Sequence, residues 1–488
     1  MHTSHFALNV LKSHPPKVAW CKKHQAGGKP LKDTIAIILA AGLGTRMKSS
    51  LPKALFRVAG LPLVCYPIKA ALEAGVSHVT VVVGHQAELV KAEVTKYFPT
   101  AQIDFAMQEQ QLGTAHATLC AAENAAPFKK ALLMNGDLPL ISANTIKALG
   151  EVYDQTGTTF ALVTSRVADP GGFGRIERSP DGEVRQIVEK RDATPEQLAI
   201  NEVNVGLYMA ETASLYADLA KVGTSNQAAE FYFTDIVKMR TSKGERVGAL
   251  VLGDASEAGQ INNRAELSEV EAQILRSNAA MIMNLGVTIH LPETVYIETG
   301  CLVGSNSEIE PGVSIKAGTV IGSNCLISRG SVLTNARIGD GVTIKPYCVI
   351  TDSEIKDFAI IGPFAHLRPQ SVVGNHGHVG NFVEMKKSTL GEGSKVNHLS
   401  YIGDAQVGEK VNIGAGTITC NYDGINKNIT VIESGAFIGS DTQLVAPVKV
   451  GKNSYVGAGT TVTKDVPDGA LALSRVKQVN IENYAKKK

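Results

Sequence analysis

The chain has 488 residues, 44% hydrophobic and 19% charged, with 48 Lys and Arg against 46 Asp and Glu for a formal charge of +2. That length suits two or three domains, and the balanced charge supplies no global field for nucleic acid or an anionic membrane, so an anionic ligand must be held by a local site. The longest aliphatic stretches, such as Val79 to Val83, are strand-length pieces, which excludes membrane insertion by an apolar helix.

Residues 1–32 hold six Lys, four His and no acid, with Pro15, Pro16, Gly27 and Gly28 as breakers. They read as a disordered amino-terminal extension. Phe6 to Leu11 is interrupted by Asn9 and followed by Lys12, and the segment has no Arg, so neither a secretory signal nor a transit peptide is expected. Residues 33–263 alternate short aliphatic runs (Ile35–Leu39, Val79–Val83, Ala131–Met134, Phe160–Val163) with segments such as Leu61 to Gly75, long enough for crossover helices. This predicts an α/β domain, Rossmann-like, with a mostly parallel sheet. Residues 264–285 form the next unit. Leu267, Val270, Ile274 and Leu275 fall at helical spacing with no internal Pro or Gly over 265–283, predicting an amphipathic linker helix.

From 286 to 488 the period becomes six. Aliphatic residues recur at Val303, Ile309, Ile315, Ile321, Ile327 and Leu333, and after five-residue steps at Ile338 and Ile355 the register runs on through Val379, Val396, Ile413, Ile438 and Val456. A hexapeptide repeat predicts a parallel β-helix whose stacked coils bury what one coil cannot. A β-sandwich would not keep six-residue phase over this length. The residue after the aliphatic one is often Gly, as at Gly304, Gly339, Gly414 and Gly439, which suits either a positive φ or close backbone approach. The period leaves handedness open, and the general crossover rule favours the right hand.

Ile35 to Met47 is a strand running into a loop with Gly42 and Gly44, followed by Pro52-Lys53. Glycines let backbone amides approach an anion, and Arg46 and Lys53 add fixed charge where phosphate oxygens would lie. A Gly-x-Gly after a strand also suits a plain structural turn, and no Walker A pattern is present. The wider motif, Leu39-Ala40-Ala41-Gly42-x-Gly-Thr-Arg46-Met with Leu-Pro-Lys53 beyond it, resembles that of sugar-phosphate nucleotidyltransferases. With the hexapeptide half, residues 33–480 closely resemble the bacterial bifunctional N-acetylglucosamine-1-phosphate uridyltransferase/glucosamine-1-phosphate acetyltransferase family.

That resemblance implies a left-handed β-helix, a cytoplasmic homotrimer, and synthesis of UDP-N-acetylglucosamine for cell-wall and lipopolysaccharide assembly. Acetyl-CoA would acetylate glucosamine-1-phosphate, and UTP would then uridylate N-acetylglucosamine-1-phosphate with release of pyrophosphate. It implies that Leu39 to Gly42, Lys53, Gln108, Gly113 and Thr114 contact the nucleotide, with Asn135 and Gly136 beside them. Asn135 stands where the family more usually has tyrosine. Asp137 and Asn262 would hold Mg²⁺, and Gly174, Glu189 and Asn204 would bind the sugar. Two polyanions must meet in such a transfer, so a hard cation with oxygen ligands and fixed positive groups suit it. Taken alone, an Asp after a strand is more often a turn or cap acid than a metal ligand, and the family context reverses that for Asp137.

Within the repeat, polar groups gather around Phe364 to Pro369, Val379 to Lys387, Asn397 to Asp404 and Asn412 to Gly424, which a purely structural solenoid does not need. His398 lies two residues after Val396, on a turn or surface. The resemblance makes His398 the general base of acetyl transfer, a role suited to an imidazole facing a protonated amine. It places the sugar phosphate on Arg368, Lys386, Tyr401 and Asn412, and acetyl-CoA on Ala415, Asn421, Tyr422, Ser440, Ala458 and Arg475. The residues themselves suggest that Glu384 orients His398 or Lys386, or faces solvent. Lys427 lies in an insertion, Asn421 to Ile429, expected to loop out of the helix.

Seven Cys at 21, 65, 120, 301, 325, 348 and 420 lack CxxC or Cys/His spacing and read as free thiols of a reduced chain. His376-Gly-His378 has no Cys or carboxylate partner in the pattern, so no zinc is assigned. Cys420 reads as packing, because transfer to an amine needs no acyl-enzyme. The alternative function is a single-activity nucleotide-sugar pyrophosphorylase with a purely oligomerising β-helix, and a second is a noncatalytic subunit with decayed sites. The polar segments around His398 oppose the first, and Lys53, Asp137, Asn262 and His398 together oppose the second.

Overall fold

The computed structural model describes residues 29–474 and 476–487. Most of the expected extension, residues 1–28, and the acetyl-CoA candidate Arg475 lie outside the described residues. The chain divides into two compact units, with the border between Ile274 and Leu275. That border falls inside the helix Arg264–Asn284, so the segment expected to be a linker contributes one part to each unit.

The amino-terminal unit contains β1 (Thr34–Leu39), β2 (Arg57–Val58), β3 (Leu61–Pro62), β4 (His78–Val83), β5 (Ile103–Met107), β6 (Lys130–Asn135), β7 (Phe160–Arg166), β8 (Arg175–Arg178), β9 (Val184–Val188), β10 (Glu202–Glu211) and β11 (Gly248–Val251). The main sheet has the order β11-β7-β10-β6-β1-β4-β5. Only β10 runs against its neighbours, β6 and β7. Ile35, Ile37 and Ile38 of β1 and Val79, Val81 and Val82 of β4 are fully buried, as expected of parallel strands covered on both faces. Helices Cys65–Glu73, Ala87–Tyr97 and Ala143–Thr156 lie between strands. The last starts at Ser142, whose Oγ accepts from the Thr145 amide, and stops at Gly157 in the left-handed region.

From β1 the sheet builds outward through β4 and β5, and β6 then returns to the other side of β1. Such a reversal opens a crevice at the carboxyl ends of the strands, where open α/β sheets bind ligands. Residues 30–32, counted with the extension in the sequence reading, belong to this unit. Leu31 is buried and its amide donates to the Ala74 carbonyl, while the Lys32 carbonyl accepts from Ser77 Oγ.

The carboxy-terminal unit is a parallel β-helix of three ladders, built from strands two to four residues long. Ile309 pairs with Ile327, and Ile327 in turn with Ile344. Three hexapeptides therefore make one coil, and a coil that contains a five-residue step is shorter by one. Strands such as those of Ile309, Ile327 and Ile344 turn one aliphatic side chain inward, and burial of such a side chain stabilises by roughly 1.5–3 kcal/mol. At the insertion the coil lengthens, and Ile413 pairs with Ile438 across it.

The glycines after the aliphatic positions, apart from Gly362 at φ 90°, are explained by close approach rather than by positive φ. A Cβ on Gly414 would stand 2.5 Å from the Ser440 nitrogen, and one on Gly439 2.5 Å from the Ala458 nitrogen. The six described cysteines are all unpaired, and no described helix is long and apolar enough to cross a membrane.

Candidate functional site

The loops after β1 and β6 meet across a cavity of about 510 Å³. The two strands pair in parallel, Leu39 opposite Asn135, so both chain ends leave the sheet at one level. The Gly136 amide donates to the Leu39 carbonyl at 2.9 Å. A Cβ there would lie 2.6 Å from that oxygen, so only glycine lets the loops close. The cavity is lined by Leu39, Ala40, Ala41, Gly42, Lys53, Gln108, Gly113, Thr114, Asn135, Gly136 and Asp137, all nucleotide candidates from the sequence, by Gly44 of the same anion-approaching loop, and by Gln111 and Glu230, which sequence reasoning did not assign.

At one end of this cavity Lys53 Nζ stands 2.5 Å from Asp137 Oδ2 and 3.1 Å from Asn262 Oδ1, and Arg46 Nη2 donates to the same Asn262 oxygen at 2.8 Å. Two oxygen donors from distant segments thus converge on fixed positive charge. Asp137 Oδ1 is buried with no hydrogen-bond partner, a costly state for a carboxylate oxygen. An unpaired carboxylate oxygen, on a residue whose other oxygen shares Lys53 with the Asn262 amide oxygen, fits Mg²⁺, which takes one or two protein oxygens and keeps waters and phosphates for the rest. Among the described residues no group of three or more His, Cys, Asp and Glu is placed to hold a metal.

The three sugar candidates also come together. The Asn204 amide donates to the Gly174 carbonyl at 2.9 Å, and a Cβ on Gly174 would stand 3.4 Å from Glu189 Oε1. Burial pushes the Glu189 carboxyl above its usual range, opposed by the Thr234 hydroxyl that donates to it at 3.0 Å. The β10 register shifts between Asn204 and Tyr208, where Gly206, at φ 84°, brings its Cα against the Asn135 amide. That irregularity joins the sugar residues to the cavity edge.

In the β-helix, in-register stacking decides which candidates meet. His398 lies opposite Asn381 of the preceding coil, and its Nδ1 is 2.8 Å from Asn381 Oδ1. Ala415, Ser440 and Ala458 occupy the same turn on later coils, tied by Gly416 N to His398 O, Asp441 N to Ala415 O and Gly459 N to Ser440 O. Asn381 was missed by sequence reasoning, although its place one coil before His398 is a usable signal. Arg368 and Lys386 follow the paired residues Leu367 and Met385 on adjacent coils, and Tyr401 pairs with Glu384. Asn412 is separate from them, on the adjoining ladder between Lys395 and Phe437.

Glu384 does not orient His398 or Lys386. Its Oε1 accepts from Arg368 Nη1 at 2.8 Å, and its Oε2 is 4.0 Å from His366 Nδ1, because stacking puts it between His366 and Tyr401 rather than under His398. This pairing holds Arg368 in its charged form. The Lys427 ammonium, delivered by the insertion, lies against Lys386 and lowers the Lys386 pKa, with Asp404 opposing. Facing ammonium groups make an anion site, and sequence reasoning gave Lys427 no role. Within the insertion Tyr422 bridges to Lys427, and Asn421 Nδ2 donates to Asp404 Oδ2 at 2.5 Å.

Residues 36–198 match the MobA-like NTP transferase domain, and 300–335, 318–352 and 429–464 match the bacterial transferase hexapeptide (six repeats). The Bifunctional protein GlmU of Anaeromyxobacter sp. (strain Fw109-5) is 48% identical over 450 residues, covering 92% of each chain. That of Pelobacter propionicus is 44% identical over 455 residues, covering 93% of this chain and 98% of its own. The protein of the same name from Geobacter sulfurreducens is 43% identical over 471 residues, with the same shares covered.

Proposed function

The chain belongs to the bifunctional GlmU family, and from that membership we propose how its two sites divide the work of making UDP-N-acetylglucosamine. It is an N-acetyltransferase for glucosamine-1-phosphate, with acetyl-CoA as donor, and a uridyltransferase joining UTP to N-acetylglucosamine-1-phosphate. Its second unit is a left-handed parallel β-helix. A single-activity pyrophosphorylase is the weaker reading, because the similarity to bifunctional relatives spans the β-helix as well.

For uridyl transfer, the observation that carries the assignment is the convergence of Lys53, Arg46, Asp137 and Asn262 at the cavity. The sugar phosphate oxygen attacks the α-phosphorus of UTP, and the bond to pyrophosphate breaks. Lys53 and Arg46 offset the repulsion between the polyanions, Gly42 and its neighbours present backbone amides, and Gly174, Glu189 and Asn204 hold the sugar. Asp137 and Asn262 would hold Mg²⁺, which when bound neutralises charge on the phosphate oxygens.

For acetyl transfer, Asn381 Oδ1 accepts the Nδ1 proton of His398, leaving Nε2 as the base. Nε2 takes one proton from the glucosamine ammonium, the freed amine attacks the thioester carbonyl, the carbon–sulfur bond breaks, and the nitrogen's second proton passes to the departing sulfur so that CoA leaves as the thiol. Arg368, Lys386, Tyr401, Asn412 and Lys427 hold the sugar phosphate. Ala415, Ser440 and Ala458 line a small-residue track for acetyl-CoA, flanked by Asn421 and Tyr422. The split of the sugar-phosphate residues over two ladders supports a homotrimer in which a neighbouring chain completes the site. Light scattering should give a three-chain mass. The unpaired thiols support a cytoplasmic setting.

The test is a pair of assays on purified protein: CoA release with glucosamine-1-phosphate, and pyrophosphate release with UTP and N-acetylglucosamine-1-phosphate. Activity in one assay alone would sink the bifunctional reading.

Two variants probe the sugar contacts. Folding favours protonated Glu189, so its contribution to stability is present in acid and lost as pH rises through the raised value. Glu189→Gln is therefore expected to raise the melting temperature at neutral pH while raising KM for N-acetylglucosamine-1-phosphate about tenfold. Lys427→Ala should raise KM for glucosamine-1-phosphate about tenfold, without changing KM for UTP.

A further inference from the structure

The nucleotide cavity has the Lys53–Asp137 pair at one end and Gln108, Gly113, Thr114 and Ala117 at the other, where Glu230, next to the Phe231 that packs on Gly113, is the charged lining residue. If phosphates occupy the first, the base occupies the second. Gln108 is 3% exposed, and its Nε2 stands 3.1 Å from the Gly113 carbonyl and 3.1 Å from His116 Nδ1. A backbone carbonyl only accepts, so the carboxamide must turn its NH₂ toward Gly113. The same NH₂ then meets His116, whose Nδ1 has to be the acceptor, with the ring proton on Nε2.

The Gly113 carbonyl is itself fixed. Gly113 has φ 116°, and a Cβ there would stand 2.5 Å from the Phe231 oxygen, so no other residue places that carbonyl without a backbone shift. Both protons of the Gln108 amide are thereby used within the protein. Its Oε1 remains as the polar atom free to meet a base.

We propose that His116 is a positioning residue for base selection: by holding the Gln108 carboxamide with its carbonyl toward the base, it makes the site favour a pyrimidine that offers a ring N–H, as uracil does, over one whose ring nitrogen is an acceptor, as in cytosine. This rests on the reading of the cavity as the UTP site. Cytosine would set its ring nitrogen against Gln108 Oε1, two acceptors facing each other with neither satisfied. An unpaired buried acceptor lowers affinity by at least about tenfold. With both acceptors in place, a flipped carboxamide would set Oε1 against the Gly113 carbonyl and against His116 Nδ1; without the His116 acceptor one of those two penalties is gone, and the flipped orientation that accommodates cytosine becomes easier to reach.

The experiment measures kcat/KM for pyrophosphate release with UTP and with CTP, at saturating N-acetylglucosamine-1-phosphate, for the wild type, His116→Ala and His116→Asn. The wild type should prefer UTP. His116→Ala should lower the UTP:CTP ratio about tenfold or more through KM for UTP, with KM for the sugar phosphate unchanged. In His116→Asn, Oδ1 can stand where Nδ1 stood, and most of the ratio should return. A ratio unchanged in His116→Ala, equal losses on both nucleotides, or no recovery in His116→Asn would overturn the role of His116 alone. Absence of a UTP preference in the wild type would instead remove the reading of the base end itself.

Discussion

Asp137→Ala is expected to lower uridyl transfer by about a thousandfold and to leave acetyl transfer within twofold. The carboxylate serves two purposes. Oδ2 anchors the Lys53 ammonium at 2.5 Å, and Oδ1 is buried without a hydrogen-bond partner, which suits the proposed role of a metal ligand. Without it, Lys53 keeps Asn262 at 3.1 Å, and the phosphates lose both a positioned lysine and one of the two oxygens proposed to hold Mg²⁺. Asp137→Asn separates charge from shape: it should fold as the wild type does but bind Mg²⁺ more weakly by calorimetric titration with UTP present. Undiminished Mg²⁺ binding in both variants would remove Asp137 from the metal site.

His398→Ala should show the converse, a loss of acetyl transfer of about 10²- to 10⁴-fold with pyrophosphate release unchanged. The effect is large because a protonated amine is no nucleophile, and no other described residue shares the turn of Ala415, Ser440 and Ala458 with an imidazole. Asn381→Ala should be milder, about tenfold in kcat with KM unchanged, since the imidazole remains but its tautomer is no longer held. Loss of both activities in a correctly folded His398→Ala protein would argue against two independent centres. Retention of acetyl transfer in that variant would remove His398 as the base.

Much of this arrangement is legible in the residues. The aliphatic runs at Ile35, Val79, Ala131 and Phe160 mark buried strands, because strands covered on both faces have no polar side to interrupt them. The hexapeptide period survives because every coil repeats one packing problem. The nucleotide loop is visible because glycine and fixed positive charge are what phosphates require. By contrast, the β8–β9 hairpin and β10 carry no such unbroken signal. Glu183, Arg185 and Gln186 interrupt the pattern, and β10 contains Gly206 at the register shift.

What the sequence determined by itself is the order of the domains, the inward-facing residue of each hexapeptide and the residue types gathered at each centre, since these follow from local periodicity and short motifs. Which side chains touch was decided only by tertiary structure. The length of each coil sets which turn lies over which, so Asn381 rather than Glu384 meets His398, and Glu384 meets Arg368. In the sheet, the return of β6 beside β1 brings Asp137 to Lys53 from a distant part of the chain. Hydrogen bonds of this kind depend on register and strand order, which short-range pattern leaves open.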